Sequence, residues 1–191
     1  MAMSCINMFK DPRDGQEYKV VQIGNRIWFA ENLRFKSDTS LVYEDNPDYE
    51  KQYGRLYHFD DLSDLAPDGW RIPTKEDFLS LEDCIDGVKN FNPISQKQIL
   101  SMALRVPRAW RLGGIDKEGV DALGFACLPA GDFENGAFGN LGSKASIWSS
   151  SRSEYDGDSQ SAYALEMNGM FAGVSLRNLN GAYSVRCVKD A

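Results

Sequence analysis

Side chains able to act as nucleophiles, bases or metal ligands are few in this chain and poorly spaced for one another. His58 is the only imidazole, and its neighbours Tyr57 and Phe59 predict a packed or half-buried ring rather than a catalytic one. A single histidine also excludes His-rich metal sites. The four cysteines, Cys5, Cys84, Cys127 and Cys187, contain no Cys-x-x-Cys pair, so neither a zinc knuckle nor a thioredoxin-type site is expected. Cys127 (in GFACLP) and Cys187 (in SVRCVKD) lie in strand-like runs and are predicted to be buried. A disulfide among Cys84, Cys127 and Cys187 stays open, because spacing does not select one. No Gly-x-Ser-x-Gly elbow with triad partners is present.

Three carboxylate pairs, Asp60-Asp61, Glu82-Asp83 and Asp156/Asp158, have the chemistry for acid–base work or calcium. Glycoside hydrolysis needs two carboxylates facing each other across a cleft, which sequence neighbours do not supply. Asp156-Gly157-Asp158 falls short of a complete EF-hand loop. The glycine pairs Gly113-Gly114, Gly136/Gly139 and Gly139/Gly142 lack the Lys and Ser/Thr of a phosphate-binding loop and are predicted to be turns. No cofactor and no metal are expected. What stands out instead is residues 149–183, dense in Ser, Gly, Asn, Asp and Tyr. Tyr and Phe give rigid contact area, and Ser, Asn and Gly give adaptable hydrogen bonding, as in a paratope.

Elements to position such loops can be read from pattern. Residues 17–23 and 26–30 are β-rich and flank Gly24-Asn25, which predicts a hairpin. Residues 36–52 are polar, contain Asn46-Pro47-Asp48, and are expected to be a surface loop. A helix is predicted from Thr74, with Asp77 three residues on in a weak capping box. Its apolar face is Phe78, Leu81 and Ile85, and Gly87 is placed to end it. A second helix is expected over about 95–104, stopped by Pro107. Short β-like runs follow at 125–128, 145–148, 162–167, 173–176 and 183–188. Strands, then helices, then strands is a segregated α+β order, which excludes a Rossmann-type alternation.

The bulk composition narrows the partner classes. The chain has 191 residues, expected to form a single domain over 1–191. With 28 acidic against 21 basic residues the formal charge is −7, which argues against nucleic acid and against anionic lipid. No apolar run reaches membrane-spanning length, so no membrane insertion is expected. The first ten residues are too short and mixed for a signal peptide.

Several long motifs then stand in order: DPRDGQEYKVVQIGNRIWFAENL, YGRLYHF, APDGWRIPTKEDFLSLE, GFACLPAG, FGNLG with IWSSS, and YSVRCVKD. Together they resemble the Fibrobacter succinogenes major paralogous domain (FISUMP) family, over about residues 9–190. The resemblance implies a C-type lectin-like fold: both termini in one small antiparallel sheet, two packed helices, and long loops in the C-terminal half. It implies binding rather than catalysis, in secreted or surface proteins of Bacteroidetes and Fibrobacteres. Many members carry a cysteine before the Pro-x-Gly-Trp motif. Here that position is Ala66, so the corresponding disulfide is not expected. The Glu-Pro-Asn, Gln-Pro-Asp and Trp-Asn-Asp signatures of calcium-dependent sugar binders are missing. The close cysteine pair of formylglycine-generating enzymes and the histidines of iron-dependent sulfoxide synthases are missing too. Residues 148–186 also have the place and palette of the hypervariable region in variable proteins of diversity-generating retroelements.

The expectation is therefore a non-enzymatic domain that binds a protein or glycan ligand through its C-terminal loops. Tyr155, Met170, Phe171 and Tyr183 are the expected anchors. Arg152, Asp156, Asp158, Asn168, Asn178 and Asn180 are the expected orienting groups. Trp28, Trp70, Phe125, Trp148 and Val185 are assigned to the core. An extracellular or cell-surface setting is favoured, with a phage-borne one as the alternative; a leader is absent from this chain. Two rival classes remain open: a carboxylate-based enzyme acting on glycans, and a structural or adhesion module of a surface assembly.

Overall fold

The computed structural model describes residues 7–88, 95–111, 119–155 and 160–191. Among them the fold is α+β, with small antiparallel sheets and few helices. The predicted hairpin is present: β2 (Glu17–Ile23) and β3 (Arg26–Phe29) pair antiparallel. β1 (Asn7–Lys10) adds to one side of this hairpin and β11 (Val188–Asp190) to the other. Both terminal strands thus lie in one sheet, as the resemblance implied.

The polar stretch 36–52 is more structured than expected. A 3-10 turn at Tyr43–Asp45 leads into α1 (Pro47–Tyr53). Asn46 accepts a hydrogen bond from the Asp48 N–H and Pro47 takes the first turn, where its missing donor costs nothing. The Asn-Pro pair read as a loop is a helix start.

α2 (Lys75–Leu79) begins at Thr74 with both halves of the capping box formed by Asp77. Arg71 and Arg26 also donate to Asp77. Burial pushes the Asp77 carboxyl up, but these bonds outweigh it and hold it well below the usual range. The helix ends eight residues before Gly87. The Ser80 hydroxyl donates to the Asp77 carbonyl, and Leu81, Asp83 and Cys84 donate to carbonyls three residues back. This tightens the chain into the 3-10 segment Glu82–Val88. Phe78, Leu81 and Ile85 still share one buried cluster. α3 (Gln96–Leu104) follows, capped by Ser95.

Two further sheets are built mostly from the second half, with β4 from the first. One has the order β4 (Tyr57–His58), β10 (Ala182–Tyr183), β5 (Asp132–Glu134), β6 (Ala137–Gly139). The other is β7 (Lys144–Arg152), β8 (Ser161–Asn168), β9 (Phe171–Asn178). The run at 125–128 supplies only a bridge from Cys127 to Arg105. The run at 183–188 is divided between β10 and β11, because its middle is buried on both sides and Ser184 bridges Ile147 instead.

The three-stranded sheet has a core on each face. Strand alternation sends Ala145, Ile147, Leu165, Met167 and Ala172 into a cluster with Trp28, Phe78, Leu104 and Phe125. It sends Trp148, Ala162 and Ala164 into a second cluster with Tyr18, Phe29, Tyr57, Tyr183 and Val185. Of the residues assigned to the core, Trp28, Phe125, Trp148 and Val185 are fully buried. Trp70 is half-buried, stacked edge-on against Phe29 at 4.6 Å. Cys84, Cys127 and Cys187 are free thiols, so no disulfide joins them.

Candidate functional site

The register of the β8–β9 hairpin decides which expected contact residues can act together. Asn168 pairs with Phe171 at one end and Ser161 with Asn178 at the other. Seven strand residues at about 3.3 Å each separate these ends by roughly 23 Å. Asn168, Met170 and Phe171 form the hairpin tip, with Met170 exposed and Phe171 half-buried beneath Lys97. Arg152, Asn178 and Asn180 lie at the opposite end. Arg152 reaches Asp60 at 3.3 Å over the Phe59 ring, and Tyr155 is exposed just beyond β7. Asp156 and Asp158 lie outside the described residues. Tyr183, expected as a contact anchor, is fully buried and presents no side-chain surface. The eight described residues therefore do not form one face.

At the Asn178 end a pocket of about 280 Å³ opens between Glu134, Asn135, Leu176, Arg177, Asn178, Asn180, Gly181 and Tyr183. Each wall has a local cause. Asn135-Gly136, both at positive φ, make the tight turn between β5 and β6 that projects Glu134 and Asn135. Asn178 closes the other wall by accepting a hydrogen bond from the Asn180 N–H at 2.9 Å. Tyr183 is the floor: its ring stands edge-on to Trp148 at 4.4 Å, and its hydroxyl donates to Glu134 Oε1. Burial first, and then the Glu134 contact, push the Tyr183 hydroxyl far above its ordinary range, so it stays protonated as a donor. Gly181 is required here, since a Cβ would lie 2.6 Å from the Tyr183 oxygen.

Arg177 is held by a chain of charges. It pairs with Glu166; Lys144 stands 3.3 Å from Glu166 and 3.1 Å from Asp132. Asn140 donates to both Asp132 oxygens. The Arg177 Nε–H is buried and has no hydrogen-bond partner among the described residues. The pocket thus offers a carboxylate with one oxygen engaged and three asparagine side chains, beside an arginine whose Nε–H is buried. That set matches a ligand with adjacent donors and acceptors.

Other chemistry-capable groups are dispersed. Burial pushes the Cys127 and Cys187 thiols up to about 11 and about 12. Asp60 is exposed beside Arg152, and Asp61 accepts from Thr39 at 2.6 Å. His58 is half-buried in β4. Among the described residues no three His, Cys, Asp or Glu side chains gather as a metal site, and no helix is long and apolar enough to cross a membrane.

The model of the Fibrobacter succinogenes major domain matches residues 21–189. The chain belongs to this family. In the Fibrobacter succinogenes major domain so delimited, every pocket residue falls inside the matched span, while β1 precedes it. No curated protein and no solved structure matches the chain.

Sequence reasoning missed Glu134, Asn135, Arg177 and Gly181. An Asn-Gly pair between Phe133 and Phe138 was the available signal for the first two. Asn180-Gly181 is the same turn signal again, though it does not reveal the close approach to Tyr183; Arg177 carried none, since its importance depends on neighbours distant in the chain.

Proposed function

We propose that this chain is a non-enzymatic recognition domain of C-type lectin-like fold, binding a hydroxyl-rich ligand of the glycan class in the Asn178–Tyr183 pocket. The single observation that carries the reading is the pocket's construction: Glu134, Arg177 and three asparagines converge on a floor fixed by Tyr183, Gly181 and Trp148. Amides and a carboxylate on a rigid base can bond adjacent hydroxyls without losing much conformational freedom on binding. Both terminal strands in one sheet support the lectin-like reading. The family supports a surface setting.

Residues 148–186 contain both asparagine turns and the Arg177–Tyr183 wall. This supports their reading as a diversified segment. Closely related copies should differ at scattered positions within it and agree elsewhere; differences spread evenly along the chain would overturn that reading.

The functional test is a glycan array, with a protein array beside it, each probed with and without EDTA. Binding of one glycan class, lost in Asn178→Ala/Asn180→Ala, is expected. Binding of protein ligands alone, or of nothing, would overturn the glycan reading.

A further inference from the structure

A second pocket, of about 220 Å³, shares no lining residue with the first. Lys19, Arg34 and Arg186 line it, with Glu31 as the one acidic side chain. A wall with more cations than anions runs against a chain of formal charge −7.

None of these cations is paired with a carboxylate among the described residues. Arg34 donates to the Gln16 side-chain oxygen at 2.9 Å and to the Glu17 carbonyl at 2.6 Å, and lies over the Tyr18 ring. Lys19 is exposed, and its Nζ makes no hydrogen bond or ion pair among the described residues. Arg186 is 1% exposed, so its charge is almost wholly removed from water. It donates to Asn32 Oδ1 at 2.9 Å and to the carbonyls of Phe29, Phe125 and Ala126. Those are four neutral acceptors for five N–H groups, and none neutralises the charge. Asp121, half-buried, accepts from the Ala126 N–H at 2.8 Å; its charge and that of Glu31 act on Arg186, but neither forms an ion pair with it.

The floor is built. Asn32 is fixed by donating to the Tyr53 carbonyl at 2.8 Å and to Ser184 Oγ at 3.2 Å. Gly54, at φ +82°, lets the chain pass where a Cβ would come within 2.7 Å of Asn32 Cβ. The rest of the wall is apolar: Ala30, Val106, Ala126 and Leu128. A buried cation bonded only to dipoles is costly, and an anion placed near it recovers part of that cost. The apolar patch asks that the anion carry a hydrocarbon body.

We propose that this pocket binds a small organic carboxylate, its head toward Lys19, Arg34 and Arg186 and its aliphatic body against Val106, Ala126 and Leu128. The site is independent of the glycan reading.

The test is a chemical-shift titration of the whole chain with sodium butyrate, and in parallel with butanol and inorganic phosphate. Saturable shifts of the Ala30, Asn32, Arg34 and Ala126 amides by butyrate are expected. Lys19→Glu, on an exposed side chain, should weaken butyrate by about tenfold or more with the melting temperature unchanged. Arg34→Gln should weaken it in the same direction. Unmoved amides, or unchanged affinity in Lys19→Glu, would overturn the proposal. So would butanol binding as well as butyrate, since charge would then play no part. Phosphate binding more tightly than butyrate would overturn the carboxylate assignment.

Discussion

The two ends of the β8–β9 hairpin use the same local device to different effect. Asn168 accepts from the Met170 N–H and Asn178 from the Asn180 N–H, each at 2.9 Å. At the Asn168 end α3 lies alongside, with Ser101 donating to the Asn168 carbonyl at 2.8 Å and Lys97 over the Phe171 ring, while Met170 projects into solvent with 48% of its surface exposed. At the Asn178 end the β5–β6 turn faces it and Tyr183 fills the base, so the same turn becomes the wall of a pocket. Composition favours neither end. A recognition site needs a second element across from the first, and at the Asn178 end the tertiary pairing of β10 with β5 supplies it.

The sharpest way to break this contrast is to remove the floor. Trp148→Ala should cost about 3–5 kcal/mol, because it empties a fully buried site under Tyr183. Denaturant unfolding measures it, and a loss below about 1 kcal/mol would show that the floor is not packed as described. Gly181→Ala comes next, at about 1–3 kcal/mol, since its methyl must displace Tyr183 from Glu134. Its hydrogen-exchange signature should be faster exchange in β5 and β10, with the Asn168 turn unaffected.

Tyr183→Phe should be milder, near 1 kcal/mol at neutral pH, for one hydrogen bond. Its larger consequence is in alkali. The folded chain holds the Tyr183 proton above the ordinary tyrosine range while the unfolded chain releases it near pH 10. Stability therefore falls as pH rises beyond about 10. Tyr18 and Tyr57 are shifted the same way, so Tyr183→Phe should make the alkaline limb shallower without abolishing it. Unfolding free energies between neutral and strongly alkaline pH would show this. Met170→Ala, at the other end, should change stability by no more than about 0.5 kcal/mol.

Much of the scaffold was legible because its signals are local. Gly24-Asn25 between β-rich runs gave the first hairpin, and Thr74 with Asp77 gave the helix start. The helix end was misplaced because Ser80 turns back on Asp77, a competition that an apolar i, i+3, i+7 pattern does not reveal. Asn46-Pro47 was ambiguous, since the same pair serves a loop and a capped helix. Of the expected anchors, Tyr183 was picked for its type, yet its neighbours Trp148 and Glu134 bury it and make it a support. Asn178 and Asn180, singled out by composition, line the pocket. Their partners across the pocket were not singled out, because strand order is a non-local property.

On the function proposed above, recognition belongs to the Asn178 end and not to the hairpin tip. One glycan array, probed in parallel with the unaltered chain, with Asn178→Ala/Asn180→Ala and with Asn168→Ala/Met170→Ala, tests it most directly. Binding should fall at least about tenfold in the first variant and be kept in the second, both remaining folded. Binding kept in the first variant and lost in the second would contradict it.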